Sequence, residues 1–274
     1  MVIGQNYWRH SDLLLEQLKQ MSSYSKKMKY PRWSRPFVAL YIRFFGIPEV
    51  GIQLRAYYFF KFLSSLPKSF TPKRLMDAGC GIGLYYQGIR NMYPNIGIEG
   101  IDLNNAKISF CKKFWPGDSC QFFHKNFSTY SSPKKYDLVL SIDVLEHVKN
   151  YQKYLDNAGK LCSKKGYLYI NTHLIPKHWY LDSSANWKHK EHAREGFIFK
   201  DLIRAVEKAG FTIVRSKKSF GFFGSLSFEV YLLFLEKNII ISALFFPILH
   251  LISNLDYFFI NPRGHTVSIL AIKK

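Results

Sequence analysis

Leu75-Met76-Asp77-Ala78-Gly79-Cys80-Gly81-Ile82-Gly83 reads as a short apolar strand carrying an acidic residue, followed by a glycine-rich turn that opens a helix. Glycines at such a turn let the backbone approach a bound nucleotide-like ligand closely, because a Cβ would occupy that space. A dinucleotide site wants G-x-G-x-x-G, with helix amides facing a pyrophosphate. Here the third glycine comes one residue early, at Gly83, and Asp77 stands two residues before the first. A carboxylate repels a pyrophosphate but suits a ligand bearing an ammonium group.

Outward from this turn the chain alternates strands and helices. Arg74 to Ala78 is a strand, Leu84 to Tyr93 a helix, Ile96 to Asp102 a strand and Asn105 to Trp115 a helix. Strands follow at Gln121 to Asn126 and Tyr136 to Ile142, then a helix from about Val148 to Leu161 and a strand at Tyr167 to Thr172. After a long loop come a helix at Phe199 to Ala209, a strand at Phe211 to Ser216 and a last strand at Thr266 to Ile272. This alternation predicts a parallel sheet with helices on both faces. Residues 1–70 read as helices broken at Pro31, Pro36, Pro48 and Pro67, the best of them from about Pro48 to Leu66.

The glycine motif and the segments C-terminal to it resemble a class I S-adenosylmethionine-dependent methyltransferase over roughly residues 70–220 plus the last strand. That cofactor has an ammonium, a sulfonium and no phosphate. The resemblance implies an α/β fold: a Rossmann-like seven-stranded sheet, with a helical N-terminal extension and an apolar helical insertion before the last strand. By the same resemblance Asp77, Gly79, Gly81 and Gly83 surround the methionine moiety, Asp102 binds the ribose hydroxyls, and Asn126 stands at the adenine-contact turn, where relatives often carry Asp. Tyr136 to Val148 matches the fourth-strand motif, which adds Ser141 and Asp143 to the cofactor set. Its ending, Val144-Leu145-Glu146-His147-Val148, resembles the small-molecule and quinone-type branch, as does His192-Ala193-Arg194-Glu195-Gly196-Phe197.

Methyl transfer from a sulfonium needs alignment and exclusion of water, and a base only when the acceptor loses a proton. His147 and His192 are the candidate bases, with His173 and His189 also at strand ends or in the loop that should close over them. Asp143, Glu146 and His147 have i, i+3, i+4 spacing, so on a helix they would share a face able to hold a divalent metal; the simpler reading is that Glu146 and His147 position the loop.

The chain has 274 residues with 39 Lys plus Arg against 19 Asp plus Glu, a formal charge of +20, and is 47% apolar, which excludes a disordered or fibrous class. Its four cysteines form no C-x-x-C pair, which argues against a disulfide scaffold and for a reducing compartment. Met1 to Asp12 shows no secretory signal. Residues 1–74 hold 13 basic and 3 acidic residues, a net of +10. Lys26, Lys27, Lys29, Arg32 and Arg35 interleave with Tyr30, Trp33 and Phe37. Such a run suits phosphate backbones or an anionic headgroup layer, or is simply a solvated linker.

The expected division is 1–70 as a basic helical extension and 71–274 as the methyltransferase domain, with 221–262 as the insertion. Gly221 to Asn261 contains one basic residue, Lys237, and Asn238 to Leu255 has no charged side chain. Helices at about Ser225 to Lys237 and Ile239 to Asn254 fit a lid on the protein's own core, an interfacial membrane element or a span. The expectation is a small-molecule or lipid acceptor, hydrophobic or membrane-associated, handled by a cytoplasmic protein with peripheral contact at the inner face of a membrane. A nucleic-acid substrate is the alternative. It is weakened because Ser141-Ile142-Asp143-Val144 replaces the Asn/Asp-Pro-Pro-aromatic tetrapeptide of base-amino methylating enzymes.

Overall fold

A computed structural model of the chain describes residues 32–115, 117, 119–176, 179–181 and 193–274. Among the described residues two helices come first, α1 at Arg35–Phe45 and α2 at Val50–Leu63. The alternating part continues as β1 (Arg74–Ala78), α3 (Tyr86–Met92), β2 (Gly97–Asp102), α4 (Asn105–Phe114), β3 (Cys120–His124), β4 (Tyr136–Ile142), α5 (Tyr151–Leu161) and β5 (Cys162–His173). It is completed by α6 (Phe199–Lys208), β6 (Phe211–Ser219), α7 (Phe222–Lys237), α8 (Ile239–Asn254) and β7 (Thr266–Lys273).

The seven strands form one sheet in the order β3-β2-β1-β4-β5-β7-β6. All expected strands are in it, but the sheet is mixed: β7 runs antiparallel to both β5 and β6. The order reverses between β1 and β4, and ligands bind outside the C-terminal ends of strands at such a switch point. Side chains alternate across the sheet. Leu75, Leu138 and Leu270 face a core layer with α2, α3, α4, α7 and α8, whereas Met76, Val139 and Ile269 face one with α5 and α6.

Several ends differ from the expected ones for local reasons. Helix α2 starts at Val50 because the Glu49 carboxylate caps it, accepting from the Gly51 amide (2.7 Å) and the Ile52 amide. Helix α5 starts at Tyr151, three residues late, because Asn150 accepts from the Lys153 amide (3.0 Å). Strand β3 ends at His124, which frees Asn126 to cap a short 3-10 turn at Phe127–Thr129. Strand β5 begins five residues early, at Cys162, passing through Lys165 with φ +63°. Helix α7 starts at Phe222 rather than Ser225, with the Gly221 amide donating to Asp256 Oδ2 (2.6 Å).

Helix α2 is buried along nearly its whole surface and packs against α7, α8 and β7. It therefore lies between the sheet and the apolar insertion.

Candidate functional site

At the C-terminal ends of β1, β2 and β4 opens a cleft of about 620 Å³. The glycine turn makes its floor. Gly79, Gly81 and Gly83 have φ of +90°, +55° and +73°, the left-handed region where a Cβ is penalised. Their surroundings separate them. A Cβ on Gly81 would find no atom within 4 Å, so this glycine faces the open cleft. One on Gly79 would stand 2.3 Å from Val144 Cγ2, and one on Gly83 2.6 Å from the Tyr86 ring and 2.8 Å from Trp115 Nε1. Gly83 thus keeps the turn close to α3 and does not line the cleft.

Asp102, at the end of β2, is clamped by backbone. Its Oδ2 accepts from the Gly81 amide (2.9 Å) and its Oδ1 from the Asn104 amide (2.7 Å). Each oxygen keeps a further lone pair for a ligand hydroxyl. The turn is tied to the same strand end, with the Gly79 and Cys80 amides both donating to Ile101 O (2.7 and 2.9 Å). Asp77 lies deeper in the cleft, where burial lifts its carboxyl to about 7 against a partial opposing effect of the Tyr86 hydroxyl. Asn126 stands at the rim, but its Oδ1 already accepts the Ser128 amide (2.9 Å). Ser141 is buried beneath the floor, where Tyr154 Oη bridges it (2.9 Å) to Ala78 O (2.8 Å), and it does not line the cleft.

The turn after β4 is a 3-10 turn, Leu145–His147, so Asp143, Glu146 and His147 do not share a helix face. Asp143, at φ +54°, pairs through Oδ2 with Arg55 Nε (2.8 Å), and burial raises its carboxyl while Arg55 opposes the rise. Glu146 points inward and is wholly buried, accepting from Thr172 Oγ1 (2.9 Å) with His173 Nδ1 at 2.8 Å. Burial alone would raise its pKa, but His173 and Thr172 outweigh that and hold it at about 2. His147 is exposed at the cleft rim. The three carboxylate and imidazole groups point apart, and among the described residues no three His, Cys, Asp or Glu are grouped to hold a metal ion.

His189 and His192 lie outside the described residues. The segment just after His192 is described. Arg194 donates to Leu145 O (2.9 Å), Val148 O (2.7 Å) and Lys149 O (2.8 Å), which fastens it to the turn after β4. Gly196 passes so near His173 and Leu174 that a Cβ would sit 2.9 to 3.1 Å from their backbone.

Among the cleft residues that escaped the sequence reading are Ile52 and Arg55 of α2. Arg55 stands 2.8 Å from Asp143 and 3.9 Å from the buried Glu49 carboxylate. Its signal was visible, since Arg55 is the one charged residue in the apolar stretch Val50 to Phe60.

Comparison with known proteins agrees with this geometry. A family model described as a methyltransferase domain matches residues 52–216. A malonyl-[acyl-carrier protein] O-methyltransferase of Ilyobacter polytropus is 25% identical over 99 residues, 36% of this chain and 38% of that protein. A ubiquinone biosynthesis O-methyltransferase of Pelagibacter ubique is 28% identical over 101 residues, 36% of this chain and 41% of that one. The match thus spans about two fifths of these relatives' own length. The O-methyltransferase from a trans-AT PKS multienzyme of Brevibacillus brevis, solved with S-adenosyl-L-homocysteine, superposes with a TM-score of 0.51 at 16% identity, covering 81% of this chain and 70% of that one. With the family model spanning more than half of its length, and the glycine turn and Asp102 meeting at the switch point of the sheet, the chain belongs to the class I S-adenosylmethionine-dependent methyltransferases.

Proposed function

We propose that this chain transfers a methyl group from S-adenosylmethionine to an O or N atom of a small hydrophobic acceptor, such as a quinone precursor, a lipid or a lipid-linked sugar. The observation that carries the reading is the open space over Gly81 beside the clamped Asp102 carboxylate. When bound, the sulfonium supplies an activated methyl group with a neutral leaving group. Asp102, held in place by the Gly81 and Asn104 amides, would take the ribose hydroxyls on its remaining lone pairs. Asp77 would hold the ammonium end, and Arg55, paired with Asp143 in the same cleft, would stand near the carboxylate end. Gly81 would admit the ligand to the backbone, Gly79 keeps the turn close to Val144, and Asn126 would face the adenine with its amide group and its one unused acceptor site.

Gly83 and Ser141 take supporting roles: one packs the turn on α3, and the other holds Tyr154 beneath the floor. The pairing of Glu146 with His173 and Thr172 makes it a positioning group for the loop after β4, not a metal ligand. His147 at the rim accepts the proton when the acceptor is a hydroxyl, and His192 remains the second candidate from the sequence. The O-methyltransferase names of the two curated relatives support oxygen as the acceptor atom.

The test is incubation with methyl-labelled cofactor and a fractionated cell extract. Label in the organic phase is expected. Label in RNA would favour the nucleic-acid alternative, for which the +20 charge speaks. With a hydroxyl acceptor in hand, His147→Ala should lower turnover by about 10²–10⁴ while leaving cofactor affinity unchanged.

A further inference from the structure

Helices α1 and α8 meet at one point, where Tyr41 Oη donates to Ala243 O (2.5 Å). Both expose apolar residues at helical spacing: Trp33, Phe37, Leu40 and Phe44 along α1 with the turn that precedes it, and Ile240, Leu244, Ile248 and Leu251 along α8. Beyond α8 the chain presents Phe258-Phe259-Ile260, of which Phe258 is 70% and Ile260 93% exposed. Leaving such residues in water costs roughly 1.5–3 kcal/mol each relative to burial, so their exposure needs an explanation.

Buried polar groups tie down the chain on either side of this apolar tip. Asp256 accepts the Gly221 amide (2.6 Å), and Asn261 Nδ2 donates to Asp256 O (2.8 Å) and Lys218 O (3.2 Å). The fold thus fixes three large apolar residues in an outward position.

The charge beside the tip has one sign. The Tyr257 ring, immediately before Phe258, has Lys217 Nζ at 4.4 Å, the Arg215 guanidinium at 5.8 Å and Lys61 Nζ at 5.9 Å from its centroid. Arg215 also donates to Tyr257 Oη (2.9 Å), and Lys218 Nζ donates to Pro262 O (3.0 Å). From Ser34 to Phe45 there is no acidic residue, and from Asn238 to Lys274 the single one, Asp256, is wholly buried.

We infer that the outer faces of α1 and α8, with the Phe258-Phe259-Ile260 tip and the Lys61, Arg215 and Lys217 cluster, form a docking surface for an anionic lipid bilayer. Apolar residues flanked by cations, with an aromatic ring between them, match the acyl boundary, the interface and the headgroup layer in turn. The stretch Ile239–Phe258 has the length and hydropathy of a span. Its inward face is nevertheless committed to protein: Phe246 and Leu249 are buried against the core, Phe246 meets Tyr231 at 6.4 Å, and His250 and Asn254 face the same way. Helix α8 therefore lies in the interface plane.

The test is flotation of the intact chain with vesicles of phosphatidylcholine alone and of equal parts phosphatidylcholine and phosphatidylserine, at low and high salt. Preferential flotation with the anionic vesicles, weakened by salt, is expected. The double variant Phe258→Ser/Ile260→Ser, and independently Leu244→Gln, should float less with both lipids. Lys61→Gln/Lys217→Gln should lose roughly tenfold to thirtyfold in affinity for the anionic vesicles alone. Val214→Ser, an exposed apolar position on β6, should change nothing. Thermal melting monitored by circular dichroism reports whether each variant is folded.

Wild-type protein that stays at the bottom with both lipids overturns the inference, as does flotation that no folded variant alters. So does a dimer that floats with neither lipid and dissociates in the Phe258→Ser/Ile260→Ser variant, because the surface would then belong to a second copy. Vesicle binding and methyl transfer are separate measurements, so either reading can fail without the other.

Discussion

Replacing Asp77 by Asn should remove a pH dependence that burial builds into cofactor binding. Asp77 is 5% exposed, and its carboxyl titrates near 7 instead of 3.8 because desolvation disfavours the charged form. A ligand ammonium beside it favours that charged form, so binding draws on the ionised fraction of the free protein. With a pKa of about 7 that fraction is about one tenth at pH 6 and about nine tenths at pH 8, so affinity should rise roughly tenfold, about 1.4 kcal/mol, over that interval. Calorimetry with S-adenosylhomocysteine, repeated in buffers of different ionisation enthalpy, should also detect proton release on binding at pH 6. Asp77→Asn should bind weakly and without this slope. Its stability should move the other way. A carboxyl whose folded pKa is raised destabilises the folded state progressively as pH climbs from 3.8 to about 7, so the Asn variant should be more stable than wild type at pH 8, by at most about 4 kcal/mol. Wild-type affinity that is flat between pH 6 and 8, or an Asn variant that keeps the slope, would refute the placement of Asp77 against a cation.

The last two glycines of the turn should part in behaviour: Gly81→Val, facing open space at φ +55°, should lose cofactor binding at a stability cost of about 1–2 kcal/mol, whereas Gly83→Ala, colliding with Tyr86 and Trp115, should show its larger effect in thermal unfolding. Arg55→Met leaves the buried Glu49 and the half-buried Asp143 without their cation. It should cost about 3–5 kcal/mol in urea unfolding, part of which Arg55→Met/Asp143→Asn restores. Glu146→Gln should destabilise by about 3 kcal/mol at pH 7. A carboxylate held at about 2 contributes stability that is full above 4.5 and fades as pH falls toward 2, so the difference from wild type should shrink in acid.

These variants also mark where sequence and structure part. The strand alternation and the glycine turn were legible because each depends on local pattern: side chains alternate along a strand, and a left-handed backbone selects glycine. Which glycine faces the open cleft was not legible, since Gly81 and Gly83 have equivalent spacing and differ only through Tyr86 and Trp115, the latter 32 residues further on. The spacing of Asp143, Glu146 and His147 suggested a shared face, but Asp143 turns at φ +54° toward Arg55 and Glu146 turns inward to His173. The early start of β5 was hidden because Ser163, Lys164 and Lys165 look like a polar turn, yet they begin a strand whose Cys162 pairs with Tyr136.

Helix α2 gives the most instructive case. It is apolar on nearly every side, so no periodicity says which face meets which neighbour, and only the isolated Arg55 marks the part that lines the cleft. Its N-terminal end carries Ile52 and Arg55 to the cofactor cleft, its C-terminal end carries Lys61 to the cation cluster, and its flanks pack on α7 and α8. Arg55 and Lys61 are six residues apart, about 9 Å along the helix axis. A rigid, fully packed helix spanning that distance fixes the cleft relative to the outer apolar surface, so an acceptor drawn from a bilayer docked there would enter a site whose height above the lipid is set by the fold.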